Sequence, residues 1–346
     1  MQNKFLEFNK DDNIGFKKKL NWSIKKLNNI QFNSVNSGEA YLSFYPITKN
    51  IKVVSKMMSH NLLNNRKTIL GDISVPGEEA FLSRLGVSWR PWVWARRAPM
   101  GCNYTNLEGW YYYFKSFTNF HKEIELDESS EITEPETTEE KMFYLYIASI
   151  KYVFNLNDKY SNFFKFKERG FWPDNDKNIL GVHIRRGDAC GKNNEFICGK
   201  CFSVEKYIEN IEKILEKNNY DYIYIATDSK KEIENIQKAK PNWNILYLPI
   251  DRSQFLRPTT ERFDIEQKCL KNSNIIPFVV DTALLDLYFL NKCKGLVAPI
   301  TTSEFSKLAW ILQLSYHKTL HPYINLCSTN DNIFNLSEII KFNTII

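Results

Sequence analysis

From residue 178 onward, apolar runs of strand length alternate with amphipathic runs of helix length, and that alternation narrows the possible folds more than any other feature. Residues 178–184, Asn178-Ile179-Leu180-Gly181-Val182-His183-Ile184, are mostly apolar over a short run, which predicts a strand. Ser203 then stands as the N-cap of a helix to Lys217, with Val204, Tyr207, Ile208, Ile211, Ile214 and Leu215 on one face. Further strands are predicted at 222–226, 244–248 and 295–299. Helices are predicted at 229–238, at 283–291 and from 304 to about Leu314, with a polar stretch up to Asn274. Upstream, 142–154 is apolar at helical spacing. Strands separated by helices return in the same direction, so the expected fold is α/β with a parallel, doubly wound sheet.

Open sheets of this kind collect ligands at the carboxyl ends of their strands. The first strand ends there in a doubled arginine, Gly181-Val182-His183-Ile184-Arg185-Arg186-Gly187-Asp188, and the second ends as Tyr224-Ile225-Ala226-Thr227-Asp228. A guanidinium group presents a rigid fork of donors that matches a phosphate pair, so Arg185 and Arg186 suggest a diphosphate clamp. The plainer alternative is a strand capped by two solvated arginines. A later strand enters a helix through Thr301-Thr302-Ser303, which brings hydroxyls and backbone N–H groups to a helix N-terminus, a favourable place for an anion. One of the three is also the expected N-cap.

A chain of 346 residues is long enough for two domains. The acidic, apolar-poor stretch 127–140 reads as an exposed loop between an N-terminal region, 1–141, and a second domain, 142–320, followed by a tail, 321–346. The net charge of +6 is spread along the sequence, which suits anionic ligands better than a nucleic-acid surface. No run approaches the roughly 20 apolar residues of a membrane helix. The start, Met1-Gln2-Asn3-Lys4-Phe5, lacks the apolar core of a signal peptide, which favours the cytoplasm.

Several smaller patterns carry competing readings. Of seven cysteines, Cys190, Cys198 and Cys201 crowd the loop after the arginines. They could hold zinc, form a disulfide from Cys190 or stay reduced, and zinc sites want four ligands. Asp174-Asn175-Asp176 has the Asp-x-Asp form of a metal site but precedes its strand instead of ending one, so a solvated loop is expected. The aromatic, Arg-bearing segment 88–99 and the run Trp110-Tyr111-Tyr112-Tyr113-Phe114 suit either a sugar platform or plain core packing. Arg186-Gly187-Asp188 spells an adhesion tripeptide, and Asn21-Trp22-Ser23, Asn103-Tyr104-Thr105 and Asn335-Leu336-Ser337 spell glycosylation sequons. Short patterns of both kinds arise by chance.

Taken together, the ordered motifs carry a resemblance. Residues 181–188, then Ile225-Ala226-Thr227-Asp228, then Asp286-Leu287-Tyr288-Phe289-Leu290 with 296–303, resemble the motifs of the GDP-fucose-dependent fucosyltransferases, both the α1,6-fucosyltransferases and, more loosely, the protein O-fucosyltransferases. The resemblance spans about half the chain, from Met142 to Ser315. It implies a GT-B glycosyltransferase of two Rossmann-like domains. The donor substrate would be a GDP-sugar, with no cofactor and no metal, and the acceptor a glycan or glycoconjugate.

By the same resemblance Arg185 would grip the β-phosphate, while His183 and Asp286 would meet the guanine. Thr301, Thr302 and Ser303 would bond the diphosphate, and Asp228 would hold the local geometry. Arg186 would either back up the clamp or pair with an acid. Inverting transfer needs a carboxylate facing the anomeric carbon, and Glu195 lies at the spacing the resemblance suggests, with Asp188 as second choice. Two features depart from the family: the cysteine-rich loop 190–201, and Ser229 where some relatives carry a second acid. Other readings of the same residues are a different GDP-sugar on this scaffold and a sugar-binding protein without catalysis.

Overall fold

The structure is a computed structural model that describes residues 10–33, 37–41, 47–71, 114, 125–126, 131–174, 177–186, 190, 201–255, 275–300 and 302–327. The chain forms two compact units. One comprises Lys17–Phe163, Cys269–Asp281 and Asn343–Ile346, the other Met1–Phe16, Phe164–Lys268 and Thr282–Phe342.

In the first of these units lie most of helix α1 (Lys10–Asn33) and a β-α-β element: strand β1 (Ser37–Tyr41), helix α2 (Ile47–Leu63) and strand β2 (Lys67–Gly71). The strands pair in parallel from Ser37↔Lys67 to Tyr41↔Gly71. Helix α1 buries Leu20, Ile24 and Leu27, and α2 buries Ile51, Val54, Met58 and Leu62. That three-and-four spacing makes one apolar stripe per helix. Asn21 of the first sequon is buried within α1. Asn65 follows α2 with φ 55°, a left-handed position that Asn tolerates and helix ends favour. Phe114 is buried, bridges to Leu156 and lies 5.9 Å from Phe154, so the one described residue of the expected aromatic platform packs as core.

Helix α3 (Thr138–Val153) starts four residues earlier than the apolar spacing predicts. Thr137 caps it by accepting the Glu140 N–H at 3.1 Å, and Glu140 reaches back to accept the Glu136 N–H at 3.0 Å. Glu139 and Glu140 in the first turn also complement the helix dipole. The acidic run thus ends as a helix start, not as loop. Two more of its acids meet lysines, Glu131 with Lys18 at 2.6 Å and Glu134 with Lys141 at 2.6 Å.

The other unit is built on five parallel strands in the order β5-β4-β3-β6-β7. They are β3 (Ile179–Ile184), β4 (Tyr222–Thr227), β5 (Ile245–Leu246), β6 (Leu296–Ala298) and β7 (Tyr323–Asn325). The connections carry helices α5 (Val204–Leu215), α6 (Lys230–Ala239), α7 (Ile276–Lys292) and α8 (Glu304–His317), while α4 (Asp158–Arg169) precedes β3. Parallel strands covered on both faces explain why 179–184 is buried throughout and apolar except at His183. Leu180, Val182 and Ile184 pack with Tyr207, Ile211 and Ile214 of α5 and Ile233 and Ile236 of α6. On the opposite face, a Cβ at Gly181 would stand 3.0 Å from Leu290 and 3.2 Å from Cys293, so only glycine lets α7 lie this close.

Most predicted elements are present, with shifted bounds. Ser203 caps α5 by accepting the Lys206 N–H at 3.2 Å, as its sequence position predicts. Helix α7 begins at Ile276, not 283, because Pro277 falls in the first turn, where no amide hydrogen bond is lost. Strand β5 is two residues long at the sheet edge. The sequence reading contains no strand at 323–325, a three-residue segment directly after Pro322 that forms the opposite edge. Among the described residues no helix is long and apolar enough to cross a membrane.

Candidate ligand site at the carboxyl edge of the sheet

The chain leaves β3 for β4 on one side, whereas β6, its neighbour on the other side, comes much later in sequence. The strand order therefore reverses between β3 and β6, and in open α/β sheets the crevice at that reversal is the ligand site. Arg185 and Arg186 follow β3, Thr302 and Ser303 follow β6, and Asp228 follows β4, so the topology gathers these sequence-predicted residues at one edge.

The two arginines differ in their surroundings. Arg186 is nearly enclosed: its Nε and Nη2 each meet a Glu232 oxygen at 3.1 Å, and Nη1 donates to the Phe202 carbonyl at 2.6 Å. Its guanidinium also lies 5.9 Å from the Tyr207 ring. Of the two roles the resemblance allows it, Arg186 takes the pairing with an acid. Arg185 keeps a side chain 37% exposed, with Nη1 3.9 Å from Asp228. Asp228 also accepts the Arg186 backbone N–H at 3.1 Å, which fixes the chain as it leaves β3.

His183 is buried one residue before the strand ends, its ring tilted against Phe305 at 4.6 Å and bonded through Nδ1 to the Ser306 hydroxyl at 2.6 Å. Burial, helped by Arg185, depresses its pKa to about 3, so the ring is neutral at physiological pH. Asp286 on α7 is buried as well and accepts the Tyr224 hydroxyl proton at 2.6 Å. Burial pushes its carboxyl up to about 7, against the Tyr224 bond and the charge of Arg252, which lower it, and with Asp228, which raises it.

At the β6–α8 turn Ser303 is the N-cap, accepting the Ser306 N–H at 3.3 Å. The Thr302 hydroxyl faces the Cys327 sulfur at 2.9 Å. Asn325 at the end of β7 braces this turn: its Oδ1 accepts the Ile300 N–H at 3.0 Å and the Cys327 N–H at 3.3 Å. Thr301, Asp188 and Glu195 lie outside the described residues, as do Gly187, Asp176, Cys198, the segment 88–99 and the other two sequons.

A disulfide joins Cys190 to Cys201, which settles the cysteine alternatives: Cys201 has no thiolate left for a Cys198–Cys201 zinc pair. The Cys201 sulfur is 3.6 Å from Arg186, so the staple closes the loop directly beside the arginine.

Four residues near this edge are missing from the sequence reading: Glu232, Tyr224, Asn325 and Arg252. Tyr224 stands in a predicted strand and Glu232 in a predicted helix, where both pass for ordinary packing and surface positions. Arg252 lies in the polar stretch before 274, and Asn325 ends a strand too short to predict.

Both units are α/β and contain parallel strands. No protein-family model matches the sequence, and neither does any curated protein. Solved structures do match. The chain is similar to the NodZ α-1,6-fucosyltransferase soaked with GDP-fucose at 14% identity and a TM-score of 0.42, over 84% of this chain and 99% of that one. It is similar to fucosyltransferase NodZ from Bradyrhizobium at 10% identity and a TM-score of 0.44, over 79% and 93%. A third likeness is to POFUT1 in complex with GDP-fucose, at 13% identity and a TM-score of 0.33, over 53% and 48%.

Proposed function

We propose that the chain is an inverting, metal-independent glycosyltransferase that moves L-fucose from GDP-fucose to a hydroxyl of a glycan or glycoconjugate. The observation that carries the reading is the contrast at the end of β3. Arg186 is enclosed by Glu232 and Phe202, whereas the neighbouring Arg185 keeps a partly exposed guanidinium at the sheet's reversal point. A fixed cation there suits the charge that grows on a departing diphosphate. The Thr302–Ser303 turn at the N-terminus of α8 adds hydroxyls and backbone donors, and Thr301 belongs to the same motif. His183 and Asp286 stand at the base end of the site.

In the transfer, the bond from the anomeric carbon to the β-phosphate oxygen breaks as the acceptor oxygen attacks from the opposite face. The acceptor proton goes to a carboxylate, Glu195 or failing that Asp188, and GDP leaves with the bonding electrons. Arg185 stabilises that leaving group, so the mechanism needs no divalent ion.

Calorimetry in EDTA with GDP, UDP and ADP, followed by transfer assays with a panel of GDP-sugars, tests the proposal. GDP should bind alone, and GDP-fucose should be the donor consumed. A strict requirement for magnesium or manganese overturns the metal-independent mechanism. Preference for another GDP-sugar reassigns the donor, and binding without transfer or donor hydrolysis reduces the chain to a sugar-binding protein.

A further inference from the structure

Arg252 is a buried cation, 4% exposed, in the short 3-10 turn Arg252–Phe255 that follows β5. Its Nε donates to the Thr227 carbonyl at 3.1 Å, its Nη1 donates to the Leu248 carbonyl at 2.8 Å, and the guanidinium lies 5.7 Å from the Tyr247 ring. These contacts anchor it beside the carboxyl end of β4. Its Nη2 is buried too, and among the described residues it has no hydrogen-bond partner. A charged donor shut away from water without an acceptor is costly, so such a group marks a place where an acceptor is to arrive.

The surroundings indicate which acceptor. Arg252 is anchored on the Thr227 carbonyl of β4, the strand whose Tyr224 hydroxyl donates to Asp286 at 2.6 Å, and its charge favours the ionised form of Asp286. One buried corner therefore holds a carboxylate that accepts and a guanidinium nitrogen that donates. Guanine presents the matching pattern along one edge, with N1–H and the 2-amino group as donors and the 6-oxo group as acceptor. Adenine reverses it, offering an acceptor at N1 and a donor at C6.

We infer that Arg252 is a base-reading residue whose Nη2 donates to the guanine 6-oxo group while Asp286 accepts from the N1–H and the 2-amino group. This inference rests on the GDP-sugar reading of the same site. It adds a specificity-determining residue that no sequence motif marks, and it gives Asp286 a partner for discriminating guanine from other bases.

The test compares GDP with 6-thio-GDP, which keeps both guanine donors and replaces the 6-oxo group with a weakly accepting sulfur. Calorimetry on the wild-type protein should show 6-thio-GDP binding about tenfold more weakly, the loss expected for one hydrogen bond to a charged group. In Arg252→Met that difference should collapse, and Arg252→Lys, which cannot fork, should reduce it. A merely structural Arg252 would weaken both nucleotides by one common factor and leave their ratio unchanged. Equal affinities in the wild type overturn the inference even if neither variant folds, as does an unchanged ratio in a variant that does. Failure of GDP itself to bind the wild type is a different outcome, because it removes the GDP-sugar reading and this inference with it.

Discussion

Arg186 and Glu232 hold each other by two parallel contacts of 3.1 Å, with only 13% and 12% of their side chains exposed. A fork meeting a carboxylate in this way is both specific and strong, and it sits next to the residue expected to bind phosphate. The pair ties the end of β3 to the first turn of α6, so its work is to hold Arg185 in place.

Breaking this pair should therefore cost stability. Glu232→Ala leaves a nearly buried guanidinium without its partner, and urea denaturation should show a loss of about 3 kcal/mol. The double change Arg186→Met with Glu232→Leu should recover much of that loss, because two apolar groups need no mutual compensation. A single-variant loss near zero would return Arg186 to the role of a solvated cation.

Arg185→Lys should behave in the opposite way. Its side chain is 37% exposed and 3.9 Å from Asp228, so the fold should tolerate the change with little shift in urea midpoint. Lysine keeps the charge but cannot make a two-pronged contact, so GDP binding should weaken by about 2–3 kcal/mol. Unchanged GDP affinity by calorimetry would remove Arg185 from the clamp.

The difference between the two arginines marks how far the sequence could be read. An apolar run ending in Arg-Arg is a local signal, and it marks the strand and its carboxyl edge. Which of the two arginines is enclosed depends on Glu232, 46 positions from Arg186, and on the Phe202 carbonyl, neither of which carries a motif. Arg252 was hidden for the same reason, since its environment is made by Thr227 and Leu248 carbonyls on other segments. The start of α3 was legible in principle, because Thr137 and Glu140 have capping-box spacing, but the acidity of the run outweighed that signal. The α1 stripe of Leu20, Ile24 and Leu27 is diluted by lysines and asparagines, so its periodicity was not picked out.

His183 gives the fold a dependence on pH. Its pKa falls from 6.5 to about 3 in the folded chain, so the unfolded chain binds the extra proton first as pH drops. The stabilisation is present above about pH 6.5 and is lost progressively as pH falls toward 3. Between pH 7.5 and 5 this one group should remove about 2 kcal/mol, computed from a model-peptide histidine. His183→Gln lacks the titrating ring, so the difference between its stabilities at those two pH values should be smaller than the wild-type difference by about that amount, as measured by urea denaturation. Identical pH profiles would mean that folding leaves the pKa of His183 where it stands in the unfolded chain.

The last prediction concerns the base. If Glu195 takes the acceptor proton, Glu195→Gln keeps its shape and its ground-state contacts but removes the acceptor for that proton. Turnover should then fall by roughly 10²–10⁴ while GDP affinity stays near wild type. Asp188→Asn is the paired test. A carboxylate two residues after Arg186 in the sequence should help order the arginines, so its loss is expected to weaken GDP binding or stability as well as rate. The two variants separate the roles because only the base should show a turnover defect with intact binding and intact fold. Normal transfer by Glu195→Gln, beside an Asp188→Asn that binds GDP yet transfers nothing, would move the base to Asp188.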